Sequence, residues 1–163
     1  MIEIDNEVQI VEKDEEIYHA GIVNPVIRQK AGLEKVAILG GGDGGLLSEI
    51  VKHAPTEVTL VEIEAAMPDI ASTYLKCICR DAFSYPDLKI VTHDANIYLE
   101  AHCGFDVILY DLTMHPASLT DLDRTVFLRQ IFGNIQKALT RNGILSLQCC
   151  PEFDEATFGI LKP

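Results

Sequence analysis

Runs of apolar residues alternate along the chain with amphipathic stretches, a pattern that predicts β-strands and α-helices in turn. The apolar runs are short, as in strands buried on both faces. The predicted elements are a strand at 8–11, a helix from about Ile17 that Pro25 kinks or interrupts, strands at 36–40, 57–62, 88–91, 105–109 and 144–147, and helices at 46–52, 70–75, 97–102 and 126–139. A turn at 141–143 precedes the last strand.

This order of elements favours a doubly wound α/β fold, in which a parallel sheet carries helices on both faces. Ligands of such folds bind at the carboxyl ends of the strands. With 163 residues, of which 48% are hydrophobic, the chain is long enough for one good core and too short for two full domains. We therefore expect a single domain over 1–163, with 1–34 forming a strand and a lead-in helix.

A glycine run, G-G-G-D-G-G, directly follows the strand at 36–40. Gly40, Gly42 and Gly45 match the G-x-G-x-x-G spacing, which lets a strand turn tightly into a helix while a ligand lies against bare backbone. Glu62 ends the next strand, at about the separation from which a carboxylate reaches ribose hydroxyls. The two features together predict a nucleotide-like ligand. The alternatives are a glycine turn that serves only packing and a surface strand end at Glu62.

A carboxylate inside the glycine loop argues against a dinucleotide. Asp43 would repel a pyrophosphate at the helix N-terminus, but it would attract an ammonium or sulfonium group. The expected ligand is therefore a cationic nucleoside such as S-adenosylmethionine or its decarboxylated form.

Charge and composition narrow the class of partner. The formal net charge of -12 disfavours nucleic acid and anionic membranes as partners and suits a polycationic substrate. No apolar run approaches the roughly 18 residues of a membrane span, and the first residues lack a signal-peptide pattern, so we expect a cytoplasmic protein. The five cysteines, including Cys77-x-Cys79 and Cys149-Cys150, fit neither zinc nor C-x-x-C redox spacing. Reduced, mostly buried thiols and no metal are expected.

Two segments carry a resemblance to a known family. The segment V-A-I-L-G-G-G-D-G-G-L-L-S-E-I-V-K at 36–52, continued by V-T-L-V-E-I-E at 58–64, resembles the polyamine aminopropyltransferases, which are the spermidine and spermine synthases. The resemblance runs from about Val8 to Cys150. It implies a Rossmann-like sheet of the class I methyltransferase type.

The stretch after the fourth core strand separates the two kinds of synthase. Asp111-Leu112-Thr113 with Pro116, followed by Phe127-Leu128-Arg129, resembles spermine synthase, whereas spermidine synthases typically have D-S-S-D-P or D-S-T-D-P. Met114 stands where spermidine synthases place a second carboxylate, so the far ammonium of putrescine would lose a partner. The resemblance therefore favours spermidine as the acceptor, with spermine as the product.

The resemblance also implies which residues bind the donor. It assigns Asp43 to the amine of the aminopropyl group, Glu62 to the ribose, and Asp94 with Ala95 to the adenine. Carboxylate oxygens suit the hydroxyl and amino donors of such a ligand. Decarboxylated S-adenosylmethionine is the implied co-substrate, methylthioadenosine is its product, and no cofactor is expected to be tightly bound.

On the acceptor side, the resemblance assigns Asp111 as the catalytic base and places Tyr18 and Gln9 beside the substrate. Polyamine amines are largely protonated near neutral pH, so a carboxylate must bind the ammonium, take up its proton and orient the lone pair. Asp111 could instead be a solvated turn residue or a cap, and Tyr18 a core-edge residue. His19 and His115 are expected to be solvated and receive no role.

The resemblance implies a chain that is shortened at both ends. It starts at the end of the family's N-terminal β-hairpin region and stops before final strands that carry acceptor-binding residues. We expect apolar positions near Ile4, Ile160 and Leu161 to mark where further strands or a second subunit dock, the full-length form to be a homodimer, and this chain to bind the nucleoside better than it transfers. Three functions stay open: an aminopropyltransferase, with spermidine synthase as the alternative to spermine synthase, an S-adenosylmethionine-dependent methyltransferase, and a catalytically inactive nucleoside-binding module.

Overall fold

Five parallel strands form the main sheet of the computed structural model, in the spatial order β5-β4-β3-β6-β7. They are Lys35–Gly40 (β3), Glu57–Glu62 (β4), Leu88–Thr92 (β5), Phe105–Asp111 (β6) and Leu139–Leu147 (β7). Ahead of them, Ile2–Ile4 (β1) and Glu7–Ile10 (β2) pair as an antiparallel hairpin. The structure describes residues 2–4, 7–10, 14–112, 122–147 and 159, the first two ranges by their backbone alone.

Six helices connect the strands of this described part. They are Glu15–Gln29 (α1), Gly45–Ile50 (α2), Met67–Tyr74 (α3), Lys76–Cys79 (α4), Ala95–Ala101 (α5) and Arg124–Ala138 (α6), with short 3-10 turns at Val51–His53 and Ala82–Ser84. Helices α5 and α6 each begin at an aspartate whose side chain accepts backbone N–H groups of the first turn. Such capping satisfies donors that have no partner inside the helix.

The central strand β3 shows why the sheet is covered on both faces. Successive side chains of a strand point to opposite faces. Val36 and Ile38 pack into the core formed with α1 and α2, whereas Ala37 and Leu39 pack into the core formed with α5 and α6. All four side chains are fully buried. The predicted doubly wound parallel sheet is therefore confirmed.

Helix α1 differs from its prediction in its start and in its continuity. It begins at Glu15 instead of about Ile17, and Pro25 lies within it without ending it. Val23 and Val26, on either side of the proline, are buried in the core, and their packing stabilises the helix across it. In addition, the Ser146 hydroxyl of β7 donates a hydrogen bond of 2.7 Å to the Ile22 carbonyl.

The turn predicted at 141–143 is wrong, because β7 runs through it. The ladder between β6 and β7 passes from the pair Phe105–Leu139 to the pair Val107–Ile144, so the extra residues form an irregularity within the strand. The prediction also lacked β1, α4 and the 3-10 turns, which are too short to show a periodicity. Strand β5 lies at an edge of the described sheet and is partly exposed, unlike the fully covered strand that its apolar residues suggested.

The cysteines of the described part are free, and they differ in burial. Cys79 is buried, but Cys77 and Cys103 are exposed, so the expectation of mostly buried thiols is wrong for these two. They lie outside the apolar segments that form the core. Cys149 and Cys150 lie outside the described residues, as do Ile160 and Leu161.

Over the described residues, none of the helices has the length and hydropathy needed to span a bilayer.

A partly buried aspartate fastens the carboxyl-terminal end of α1 to the sheet. The carboxylate of Asp106 accepts hydrogen bonds from the Lys30 side chain and from the Lys35 backbone, each at 3.2 Å. Desolvation by burial alone would raise the pKa of Asp106, but the hydrogen bonds from Lys35 and Lys30 outweigh it and lower the pKa. One end of α1 is therefore fixed to β3 and β6.

Two glycine-to-alanine substitutions should change stability in opposite directions. A Cβ at Gly45 would lie 2.0 Å from the His19 ring, whereas nothing lies within 4 Å of a Cβ at Gly133 in α6. We expect Gly45→Ala to destabilise the fold by about 2–3 kcal/mol through overpacking, and Gly133→Ala to stabilise it by about 0.5–1 kcal/mol through helix propensity. Urea denaturation measures both. Equal effects of the two substitutions would contradict this account of the α1–α2 contact.

Candidate active site

The glycine loop lies where the strand order reverses. Strand β3 pairs with β4 on one side and with β6 on the other, and Gly40 at its end is in register with Asp111. Glu62 ends β4, the neighbouring strand on the other side. In an open parallel sheet this reversal opens a crevice that binds ligands. The structure therefore brings the loop, Glu62 and Asp111 to one edge, as the sequence predicts.

Two positions of the loop require glycine. Gly40 has a φ of 76°, and a Cβ there would lie 2.8 Å from the Asp111 carbonyl oxygen. A Cβ at Gly42 would lie 2.7 Å from Glu62 Oε2. Since real Cβ contacts are longer than 3 Å, the loop backbone fits between the ends of β4 and β6 only without side chains.

Glu62 is oriented by two backbone donors. The Gly42 N–H donates to Glu62 Oε2 and the Glu64 N–H donates to Glu62 Oε1, both at 3.0 Å. Each carboxylate oxygen has a further lone pair. The side chain is therefore fixed beside the glycine loop and can still accept hydrogen bonds from hydroxyl groups.

Asp43 is buried in the loop at the start of α2. Its Oδ1 accepts a hydrogen bond of 2.7 Å from the Gly45 N–H, so one carboxylate oxygen satisfies a backbone donor of the helix. The side chain is only 9% exposed. The Asp43 carboxylate is therefore held at the start of α2, inside the glycine loop.

Asp94 and Ala95 begin α5, next to the carboxyl end of β5. Asp94 Oδ1 accepts hydrogen bonds from the Asn96 N–H at 2.8 Å and the Ile97 N–H at 3.0 Å, so this aspartate is the N-cap of the helix. Ala95 is buried. The capping alternative that the sequence left open for Asp111 is thus observed at Asp94.

Asp111 has a tyrosine hydroxyl as its partner. The Tyr18 hydroxyl donates a hydrogen bond of 2.7 Å to Asp111 Oδ1, joining α1 to the end of β6. The second oxygen, Oδ2, faces Gly41 of the loop, 3.1 Å from where a Cβ would stand. Tyr18 is therefore not merely a core-edge residue, because its hydroxyl donates to a partly buried carboxylate.

The surroundings of Asp111 make it an unusually strong base for a carboxylate. Its pKa is raised to about 6, and burial is the largest cause. The hydrogen bond from Tyr18 and the charge of His19 oppose the rise, whereas the charges of Asp43 and Glu62 add to it. The pKa of the Tyr18 hydroxyl is raised in turn, first by burial and then by the charge of Asp111. The hydroxyl therefore stays protonated and donates to the carboxylate.

His19 is buried, which corrects the expectation that it is solvated. It lies in α1, its Nδ1 is 3.1 Å from Glu15 Oε2, and its ring packs on Gly45 and stands edge-on to the Tyr18 ring. Nε2 has no hydrogen-bond partner among the described residues. The signal in the sequence is its helical spacing, four residues after Glu15, which pairs the two side chains on one face of a helix.

Four candidate residues cannot be placed in this geometry. Gln9 is in β2, where only the backbone is described, and Thr113, Met114 and His115 lie outside the described residues.

The arrangement defines a class of protein: a doubly wound α/β domain with a glycine loop, two carboxylates fixed at that loop and a third with a raised pKa. Residues 15–158 match the model of the spermine/spermidine synthase domain. The chain therefore belongs to the spermine/spermidine synthase family.

Individual relatives agree with the family match. Over 150 residues, the chain is 35% identical to a polyamine aminopropyltransferase of Ruegeria sp. strain TM1040, covering 91% of this chain and 51% of the relative. Over 160 residues, it is 32% identical to a polyamine aminopropyltransferase of Sulfurisphaera tokodaii, covering 97% of this chain and 52% of the relative. The chain thus spans about half the length of the curated relatives it matches.

Solved structures share the fold. The crystal structure of spermidine synthase from Thermotoga maritima aligns with a TM-score of 0.78 at 28% identity, over 96% of this chain and 51% of that one. A spermidine synthase in complex with the transition state analogue AdoDATO aligns with a TM-score of 0.82 at 26% identity, over 96% of this chain and 55% of that one.

Removing the charge of Asp111 should stabilise the fold at neutral pH. Its pKa is about 6 in the folded chain and 3.8 ordinarily, so the folded state holds its proton more tightly, and this group's contribution to stability falls as pH rises from about 4 to 6. We expect Asp111→Asn to increase the free energy of unfolding on the order of 2 kcal/mol at pH 8 and to have little effect at pH 4. Denaturation at the two pH values measures the difference.

Asp106→Asn is the matched control, because the pKa of this partly buried aspartate of the same strand is lowered. Its charge stabilises the fold above the unfolded pKa, so the substitution should destabilise at pH 8. Destabilisation by Asp111→Asn at pH 8 would contradict the raised pKa.

Proposed function

We propose that this chain belongs to an aminopropyltransferase that moves an aminopropyl group from decarboxylated S-adenosylmethionine to a polyamine, with spermidine converted to spermine. The observation that carries the proposal is the Tyr18–Asp111 pair, a partly buried carboxylate with a raised pKa beside a glycine loop that carries Asp43. Relatives named polyamine aminopropyltransferase support the same chemistry.

The reaction needs a base more than an acid. An amine nitrogen of the acceptor attacks the methylene carbon next to the sulfonium, a C–N bond forms, and the C–S bond breaks with both electrons going to sulfur. Methylthioadenosine leaves as a neutral thioether, so the leaving group needs little acid assistance. Asp111 accepts the proton that the amine must lose, and its pKa of about 6 makes it a better acceptor than an ordinary carboxylate while leaving it charged at neutral pH.

The donor would lie along the carboxyl ends of β3, β4 and β5. Glu62 is held so that it can accept hydrogen bonds from the ribose hydroxyls. In the described structure, both backbone N–H groups that Asp94 caps donate to its Oδ1, so Oδ2 is available to the amino group of the adenine, which we assign to Asp94 and Ala95. Asp43 would receive the ammonium of the aminopropyl group. We also assign Gly40, Gly42 and Gly45 to the donor site, where the absence of side chains lets the loop backbone lie close to Asp111, Glu62 and His19.

Tyr18 and Asp111 form the acceptor side, to which we also assign Asp43 and Gln9. The three carboxylates Asp43, Glu62 and Asp111 act on one another electrostatically, which suits a site for cationic ligands. The preference for spermidine over putrescine is supported by the sequence at Met114. We also propose that the full-length protein is a homodimer, which light scattering after size exclusion tests.

Incubation with decarboxylated S-adenosylmethionine and either spermidine or putrescine, followed by mass spectrometry, tests the function. We expect methylthioadenosine and spermine from the spermidine reaction and less product from putrescine; the measured rate also tests the expectation that transfer by this 163-residue chain is impaired. Methylated products from S-adenosylmethionine would favour a methyltransferase. Nucleoside binding without any product would favour a catalytically inactive binding module.

Asp43 should determine which donor is bound. We expect decarboxylated S-adenosylmethionine to bind roughly tenfold or more tightly than S-adenosylmethionine, because the carboxylate of the latter would be repelled by Asp43. Asp43→Asn keeps an acceptor for the Gly45 N–H and should remove most of this preference. Calorimetry measures both affinities.

Glu62→Gln serves as the comparison, since the ribose is common to both nucleosides and both affinities should fall alike. An equal or reversed preference in the unmodified chain would count against aminopropyl transfer.

Asp111→Asn should separate binding from chemistry. We expect turnover to fall by roughly 10²-fold or more, the scale of general-base loss, with little change in the affinity for methylthioadenosine. In the unmodified chain, kcat/KM should fall as pH drops below about 6, because protonated Asp111 cannot accept a proton. Stopped assays from pH 5 to 9 test this.

The control is Asp87→Asn, which changes an exposed aspartate ahead of β5 and should leave turnover unchanged. Normal turnover of Asp111→Asn would show that Asp111 is a structural residue.

A further inference from the structure

Arg80 joins three helices behind the candidate site. It ends α4, and its guanidinium donates to Ser48 Oγ of α2 at 2.9 Å and to Glu15 Oε1 of α1 at 3.3 Å. Glu49 of α2 and Glu16 of α1 lie at 3.8 and 3.9 Å from the same group. One side chain therefore fastens the first turn of α1 to the helix that follows the glycine loop.

The two hydrogen-bond partners of Arg80 are buried, and its own backbone is strained. Glu15 and Ser48 are 5% and 4% exposed, so they need hydrogen-bond partners to offset their desolvation. Arg80 has a φ of 50°, in the region that favours glycine. A residue with a side chain is retained in such a conformation only where its surroundings stabilise it, and such residues cluster at functional sites.

A continuous set of contacts leads from Arg80 to the candidate base. Glu15 contacts Arg80 through Oε1 and His19 through Oε2. His19 packs on Gly45, and the next residue towards the N-terminus, Tyr18, donates to Asp111. The same turn of α1 thus carries both the partner of Arg80 and the partner of Asp111.

We propose that Arg80 is a positioning residue for aminopropyl transfer: it fastens α1 to α2 through Glu15 and Ser48, and so holds the Tyr18 hydroxyl on Asp111. This inference rests on the proposed function. The other end of α1 is fixed separately, by Lys30 on Asp106. Without Arg80 the amino-terminal end would lose a fastening point, and misplacing groups by about 1 Å costs on the order of 10² in rate.

The pKa of Asp111 supplies a readout that a merely structural role would not move. Four groups act on this carboxylate: Asp43 of the loop and Glu62 of β4 raise its pKa, whereas Tyr18 and His19 of α1 lower it. A displacement of the Tyr18 hydroxyl by about 1 Å breaks its hydrogen bond to Asp111 but is too small to admit a water molecule. Burial and the two carboxylates then still raise the pKa of Asp111, whereas the lowering influence of α1 is weakened. The pKa of Asp111 should then rise.

Kinetics of Arg80→Met test the proposal. The control is Arg28→Met, which changes an exposed arginine of α1. We expect Arg80→Met to lower kcat by roughly tenfold or more and to move the acid limb of kcat/KM upward by about half a pH unit or more. The affinity for methylthioadenosine should change by less than about threefold, since α1 does not carry the proposed nucleoside contacts. Arg80→Lys should restore part of kcat, because it keeps the charge without the planar fork.

Arg28→Met should change none of these quantities. Loss of thermal stability in Arg80→Met with an unchanged kcat and acid limb, measured well below the unfolding temperature, would overturn the positioning role. If Arg80→Met does not fold, Ser48→Ala removes only the 2.9 Å hydrogen bond and should move kcat and the acid limb in the same directions by a smaller amount. Unchanged kinetics in Ser48→Ala and Arg80→Lys would then overturn the proposal.

A second measurement separates this inference from the proposed function. The carboxyl ¹³C resonance of Asp111, assigned by its absence in Asp111→Asn, can be titrated without any turnover. An upward shift of the pKa of Asp111 in Arg80→Met supports the positioning of Tyr18 even if the unmodified chain transfers no aminopropyl group. Absence of transfer by the unmodified chain would contradict the proposed function and leave the positioning role intact. An unchanged titration overturns the positioning role, whatever the activity.

Discussion

The site depends on the close approach of bare backbone to two side chains. At Gly42 a Cβ would collide with the carboxylate of Glu62, and at Gly45 a Cβ would collide with the ring of His19. Because both positions are glycine, β4 and α1 converge on one loop from different directions. The Gly42 N–H can then orient Glu62, and α1 can lie close enough to β6 for Tyr18 to reach its end. A single added methyl group at either glycine would push one of these elements away, so the loop sets the dimensions of the whole crevice.

Electrostatic repulsion is the cost of this convergence. Asp43 and Glu62 both raise the pKa of Asp111, on top of the larger effect of burial. Such an arrangement opposes folding at neutral pH, because the folded chain must hold negative charges together in a partly dry environment. A cationic ligand would offset the repulsion on binding. The same carboxylates that lower the free energy of unfolding of the protein alone would thus stabilise its complex with the cation. This trade-off between stability and function is expected of a binding site for a charged ligand.

The sequence predicted what depends on local pattern and failed where distant segments meet. The order of strands and the face of each side chain in β3 follow from the period of apolar residues, and the position of Gly40, Glu62 and Asp111 at one edge follows from parallel pairing. Helix α4 and the course of β7 did not follow, because four residues show no helical period and because packing against β6 overrides a turn-forming Arg-Asn-Gly. The burial of His19 and the contacts of Arg80 depend on how α1 packs against α2. This packing cannot be predicted from the sequence of either helix alone.

The strength of the candidate base is itself a tertiary property. Tyr18 and Asp111 are 93 residues apart in sequence, and the hydrogen bond between them lowers a pKa that burial raises. If the Tyr18 hydroxyl were drawn back while Asp111 stayed covered, the carboxyl would be a stronger base but would lose the group that orients it. If additional donors reached the carboxylate, its pKa would return towards the ordinary value and it would accept a proton less readily. The distance between α1 and the end of β6 therefore sets a compromise between basicity and orientation, and the contacts that fix α1 at both of its ends maintain that compromise.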